Sequence, residues 1–148
     1  METDLHVVEL GEGDPIVFVH GSFGWGEDTF PDQRELGDDY RVVLVDRRGY
    51  GDSPPAKRFD FDSLTEDICA LLGDGVHLVG HSYGGLLCLL AAARRPEAVW
   101  SLAAIEPPAA SIARGHPVVE SIIERAAWLA QADPTAPALP GLYGRCGL

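Results

Sequence analysis

The chain has 148 residues, a formal net charge of −12, 46% apolar and 23% charged residues. This is an ordinary globular composition; it excludes a wholly disordered chain and leaves enough apolar material for a single core. The charge argues against nucleic acid or an anionic membrane as partner, because both would repel it.

The first residues, Met1–Leu5, carry neither a basic nor an apolar region, so no signal peptide is expected. No apolar run approaches the roughly 18 residues of a membrane span, so a cytoplasmic protein is the expectation. Cys69, Cys88 and Cys146 are odd in number and form no Cys-x-x-Cys, which yields neither a disulfide framework nor a zinc site. Cys69 and Cys88 sit in apolar patterns and read as small buried hydrophobes. No metal or organic cofactor is implied.

Leu5–Leu10 predicts a short strand, and the turn residues Gly11–Pro15 predict a hairpin into Ile16–Val19. Ile16–Val19 is continuously apolar, as in a strand buried on both faces. It runs into the glycine-rich segment His20–Gly26. A short helix is expected over Thr29–Leu36. Arg41–Val45 is a second buried strand, followed by a loop over Asp46–Pro54. Leu64, Ile68, Leu71 and Leu72 recur at helical intervals, with Asp62 or Ser63 as cap and Ser63–Glu66 in capping-box spacing. Val76–Val79 is a third buried strand, Tyr83–Arg95 a helix stopped by Pro96, and Val99–Ile105 a fourth buried strand. The alternation implies an α/β fold: a mostly parallel twisted sheet with helices on both faces and all strand C-termini on one edge. The loops starting at His20, Asp46, Gly80 and Glu106 all begin on that edge, where ligands bind in such sheets. The texture changes after Pro108. Residues 1–108 read as core and 109–148 as the start of a cap. Val119, Ile122, Ile123, Ala126 and Ala130 form an amphipathic stripe within 118–131, followed by an irregular tail from Asp133.

The strongest chemical signal is Gly80-His81-Ser82-Tyr83-Gly84, which follows one predicted strand directly and opens a predicted helix directly. That placement is what a nucleophile elbow requires. The sharp turn strains the central residue, Gly80 and Gly84 relieve the crowding, and the helix N-terminus favours negative charge beside the hydroxyl. Ser82 is therefore the candidate nucleophile, against the alternative of a plain tight turn. Acyl transfer also needs two preorganised donors for the oxyanion. The N–H of Tyr83 is one; the second comes from His20-Gly21-Ser22-Phe23-Gly24, with Ser22 the expected donor and Phe23 the alternative. His20 itself reads as a structural hydrogen-bonding residue. Phe23 and Trp25 are the expected substrate contacts, which favours small apolar esters.

With VFVHGSFGWG at 17–26, VDRRGYGDSP at 45–54, LVGHSYGG at 78–85 and IEPP at 105–108, the chain resembles the α/β-hydrolase fold, in its cap-bearing group of serine esterases. The resemblance covers residues 5–108. It implies a Ser–His–acid triad, an oxyanion hole from the two loops, a cap after Ile105, and a structural turn without catalytic role at Asp46–Ser53. A serine at the nucleophile position argues against the dehalogenases and epoxide hydrolases of this fold, which place aspartate there.

The triad order in this fold is Ser, then acid, then His. After Ser82 there is one histidine, His116, with Glu97, Glu106, Glu120, Glu124 and Asp133 as acids. His116 falls at the start of the cap-like segment, and His81 would project away from the Ser82 hydroxyl. His6 and His77 read as structural or exposed. Glu106 ends the strand after the nucleophile helix and is the candidate acid, against a purely structural Glu-Pro. No pattern for the last strands of the fold is present. The chain therefore reads as the front part of a larger hydrolase, truncated and weakly active by itself. Val99–Ile105 is then left as an apolar edge open to self-association or a complementing chain. A non-catalytic interaction module or remnant is the alternative. A nucleotide-binding domain is disfavoured because Gly80-x-x-x-Gly84-Gly85 is not Gly-x-Gly-x-x-Gly.

Overall fold

A computed structural model describes residues 3–57 and 60–108, together with Gly115, Glu120, Ser121 and Glu124. The amphipathic stripe at 118–131, the tail from Asp133, His116 and Cys146 lie outside the described residues, apart from those few positions. The described chain runs β1 (Val7–Leu10), β2 (Pro15–Val19), α1 (Gly26–Thr29), a 3-10 segment (Asp32–Asp38), β3 (Arg41–Val45), α2 (Phe61–Leu71), β4 (Val76–His81), α3 (Tyr83–Arg94), a 3-10 turn (Pro96–Ala98) and β5 (Val99–Ile105).

The strands form one sheet in the order β1-β3-β2-β4-β5. β2, β3, β4 and β5 are mutually parallel, and β1 is antiparallel to β3. All parallel strands thus end on one edge, as expected. The predicted hairpin does not form. β1 pairs with β3, Val7 opposite Val45 and Leu10 opposite Val42, so β3 lies between β1 and β2. The connecting residues must then cross two strand spacings of about 4.8 Å. The intervening residues reach that far, with Gly11 at φ 72° and Gly13 at φ 108° turning the chain. The carbonyl of Asp14 accepts from the N–H of Arg41 at 3.1 Å.

Two further local expectations shift. The helix expected over Thr29–Leu36 is split into α1 and the 3-10 segment. Pro31 disfavours helical geometry at the residue before it, and Phe30 accordingly sits at φ −125°, ψ 54°. The cap of α2 is neither Asp62 nor Ser63. The Asp60 carboxylate accepts from the N–H of Ser63 at 2.9 Å, which makes Ser63 the third helical residue.

α2 and α3 pack side by side on one face of the sheet, where Leu64, Ile68, Leu71, Leu87, Cys88 and Ala91 meet Val17, Val19, Val45 and Leu78. Each fully buried leucine or isoleucine there contributes roughly 1.5–3 kcal/mol. Burial pushes the Cys88 thiol up to about 12, so it stays protonated and inert, the buried hydrophobe the sequence suggested. On the opposite face Phe30 packs on Phe18, Val42 and Leu44. α1 and the 3-10 segment cover β3 there, and the β4–β5 half of that face carries no helix among the described residues. Among the same residues no helix is long and apolar enough to cross a membrane.

The Asp60 cap distinguishes the two assignments at the start of α2. Asp60→Ala is expected to cost about 1 kcal/mol in urea unfolding, while Asp62→Ala stays within about 0.5 kcal/mol of the parent. Equal costs at both positions would contradict the observed cap.

Candidate active site

β4 becomes α3 across a single residue. Ser82 sits at φ 51°, ψ −123°, a left-handed backbone that non-glycine residues rarely adopt. Serine is a preferred helix cap, yet its side chain makes no capping hydrogen bond here. The hydroxyl is left over for other use. Backbone contacts hold the turn: the N–H of Ser82 donates to the carbonyl of Ile105 at 2.8 Å, and the N–H of Leu86 donates to the carbonyl of Ser82 at 3.2 Å. The turn also demands close backbone approach. A side-chain carbon at Gly84 would strike the carbonyl oxygens of Val19 and His20.

The loop after β2 passes directly over this turn. A side-chain carbon added to Gly21 would lie 3.1 Å from Cβ of Ser82 and 3.3 Å from Nδ1 of His81. The structure thus brings Gly21 against Ser82. Tyr83 occupies the first position of α3, where backbone N–H groups lack intrahelical acceptors. Its ring does not face the site. It is buried in the core and stacked on Phe61 with centroids 5.7 Å apart. Phe23 and Trp25 are 84% and 49% exposed; both stand on the outer surface of the loop. The Ser22 hydroxyl is buried with no hydrogen-bond partner among the described residues.

Glu106 follows β5 with φ 46°, a second left-handed non-glycine residue. It is exposed, and its neighbour Ile105 supplies the carbonyl that receives the Ser82 N–H. The described histidines are placed elsewhere. His6 contacts Asp46 at 3.0 Å, and His77 contacts the Ser101 hydroxyl at 2.7 Å. His81 lines an open cleft with Phe30 and Ile105 on the half-covered face of the sheet. No hydrogen bond joins Ser82 Oγ to a histidine among the described residues.

The loop after β3 supplies the scaffold. The Asp46 carboxylate accepts from the N–H of Gly26 at 2.8 Å and of Asp52 at 3.0 Å, besides its His6 contact. Asp46, His6 and Asp52 lie close enough to suggest a cation site, but these contacts already engage both Asp46 oxygens, and the cluster works as a turn tie. Next to it, His20 is fully buried. Its Nδ1–H donates to the Gly21 carbonyl at 2.7 Å, and Nε2 accepts from the N–H of Arg47 at 2.9 Å. This confirms the structural reading of His20. Arg47, set aside with the other loop charges in the sequence, is buried beside it. The signal for Arg47 in the sequence is its place just after Asp46 and the apolar run Val42–Val45.

Burial, and secondarily the Arg47 charge, push His20 from 6.5 down to about 4. The unfolded chain binds this proton below pH 6.5 and the folded chain only below about pH 4, so stability is full above pH 6.5 and falls as the pH drops through that window. The expected loss is about 3 kcal/mol, measured by urea unfolding from pH 7 to 4. In the folded protein, the NMR titration of the His20 ring is expected to show no protonation above pH 5; a midpoint near 6.5 would contradict the observed environment.

Residues 14–140 match the family model of the alpha/beta hydrolase fold. The chain is 36% identical over 120 residues to ethanol acetyltransferase 1 of Eremothecium cymbalariae, covering 72% of this chain and 34% of that protein. It is 33% identical over 131 residues to the (E)-2-((N-methylformamido)methylene)succinate hydrolase of Acinetobacter baylyi, covering 85% of this chain and 49% of that protein. Among solved structures, an epoxide hydrolase from Bacillus megaterium superposes with a TM-score of 0.76 at 25% identity, over 97% of this chain and 57% of that one. The chain spans about half, or less, of the length of the curated relatives it matches. Five strands in this order, a left-handed serine between β4 and α3, and these matches together make the chain a member of the α/β-hydrolase fold family.

Proposed function

We propose that this chain carries the nucleophile and oxyanion half of a serine hydrolase for small acyl esters. The observation that carries the reading is Ser82 itself: a helix-capping residue type in a strained backbone, whose hydroxyl caps nothing while the Gly21 loop closes over it. Backbone strain of this kind costs about 1–3 kcal/mol and is kept where the surrounding structure enforces it.

In this reading Ser82 Oγ attacks the ester carbonyl carbon, and the carbonyl oxygen becomes an oxyanion received by the N–H groups of Tyr83 and Ser22. The C–O bond to the alcohol breaks, the alcohol leaves with a proton, and water then releases the acyl group from Ser82. Exposed Phe23 and Trp25 give the substrate an apolar contact. Glu106 stands next to the strand end that holds Ser82 and is the proposed acid. The general base is proposed to come from further polypeptide, which the greater length of the relatives supports. That polypeptide would add to the outer edge of β5, where Trp100 and Ile105 are 52% and 46% exposed.

Without its base, serine is a weak nucleophile, and an oxyanion hole with binding leaves a residual acceleration of about 10³–10⁴. A fluorophosphonate reagent is expected to label this chain slowly and on Ser82 alone, read by mass spectrometry of the digested protein. Ser82→Ala should lose the adduct. Equal labelling of both proteins, or an adduct at another residue, would overturn the assignment. Sedimentation tests the β5 edge separately: association, or recovery of turnover on adding the rest of a full-length relative, is expected. A stable monomer with efficient esterase turnover would show that no further polypeptide is needed.

A further inference from the structure

The geometry points to Arg47 as the positioning residue of the oxyanion hole, a role that rests on the serine hydrolase reading. Arg47 is 2% exposed and has no carboxylate partner among the described residues. A full charge buried in this way is costly unless its donors are used. They are used on the loop above Ser82: Nε donates to the His20 carbonyl at 2.9 Å and Nη2 to the Gly21 carbonyl at 2.8 Å. The guanidinium lies over two rings, 4.5 Å from the centroid of Tyr50 and 5.0 Å from that of Tyr83. Cation–π contact and charge-assisted hydrogen bonds replace the missing anion.

The consequence follows from peptide geometry. The carbonyl of Gly21 and the N–H of Ser22 belong to one planar trans unit and point in opposite directions. Arg47 Nη2 and His20 Nδ1 both hold that carbonyl on the buried side. The Ser22 N–H is thereby turned toward the opposite edge of that peptide unit, and the unit cannot flip without breaking two hydrogen bonds in the core. The second oxyanion donor, the N–H of Tyr83, belongs to the residue whose ring packs under the same guanidinium. One buried cation therefore fixes the loop that bears one donor and packs on the residue that bears the other. It touches neither substrate nor the reacting atoms.

Lysine is too short and too compact to satisfy both carbonyls and lie flat on two rings, so Arg47→Lys keeps the charge and loses the clamp. The test is the saturation kinetics of fluorophosphonate labelling, with folding checked by circular dichroism. Folded Arg47→Lys is expected to label Ser82 about 10²-fold more slowly at saturation with the half-saturating concentration unchanged. A general loss of structure would move both. If Ser82→Ala labels like the parent, the serine reading fails and this role fails with it. If labelling is confined to Ser82 and folded Arg47→Lys labels at the parent rate, the positioning role alone is overturned. Should Arg47→Lys not fold, NMR of the unmodified sequence decides. The Arg47 Nε–H is expected to stay protected from solvent exchange before and after phosphonylation, while the Ser22 amide proton moves downfield on adduct formation. An unmoved Ser22 amide, or an unprotected Arg47 Nε–H, would overturn it.

Discussion

A strand must turn into a helix at one residue, Ser82, and the rest of the site is arranged to make that possible. A backbone at φ 51° and ψ −123° is not held by its own preference. It is held from three directions: the Ile105 carbonyl takes its N–H, the first turn of α3 takes its carbonyl, and Gly84 lets α3 press on the ends of β2. The supports come from β5, from α3, and from the contact of α3 with the end of β2. The turn therefore fixes β2, β4, β5 and α3 relative to one another, and the sheet could not slip register at β4–β5 without losing it. At this edge of the sheet the strained residue keeps its hydroxyl free of any capping bond.

The loop after β3 does for the segment after β2 what β5 does for the serine. Asp46 ties the start of α1 and the turn at Asp52 through its two oxygens. Arg47 and His20 then hold the carbonyls of residues 20 and 21 inside. The polarity of this cluster is complete in itself. His20 donates with one ring nitrogen and accepts with the other, which requires the neutral ring, and burial beside a cation keeps it neutral. Arg48, by contrast, points outward to Asp4 and Asp67. Adjacent arginines of the same loop thus do opposite things: one holds the inside of the site and the other closes a surface network between the N-terminus and α2.

The apolar periodicity in the sequence was enough to place every strand and both long helices, but β5, expected as a buried strand, has no buried residue because only β4 flanks it among the described residues. Val76–His81 and Val99–Ile105 emerged within two residues of their expected limits. The strand–turn–helix setting of Ser82 was legible for the same reason, since Gly80 and Gly84 flank it at the spacing a tight approach needs. What the sequence could not show was anything decided by a distant partner. β1 reads as half of a hairpin, yet it pairs with β3 because β3 offers a free edge with apolar residues in register. Asp60 caps α2 from just outside the periodic stretch, while Asp62 and Ser63, both better placed by pattern, do not. Arg47 looked like one more loop charge. Its burial depends on Tyr50 in its own loop and also on Tyr83 and two carbonyls from another loop, which its neighbourhood in the chain does not predict.

The two faces of the sheet are unequal, and this bears on the serine. α2 and α3 cover one face, with Val7, Val99 and Leu102 only partly buried at its margins. On the other, His77, Val79 and Ser101 lie beside Tyr40 and Phe18 in one open cleft, and His81 and Ile105 beside Phe30 in another. Among the described residues β5 has a neighbour on one side only, and its bulge at Trp100 lays the indole against Gly75 and His77. An outer strand is the part of a sheet whose hydrogen bonds open most easily. Yet β5 supplies the carbonyl at Ile105 that holds the Ser82 N–H at 2.8 Å. Any motion of β5 is thus felt at Ser82 with no intervening residue. Polypeptide pairing with the outer edge of β5, as proposed above, would steady the strained turn through that single hydrogen bond.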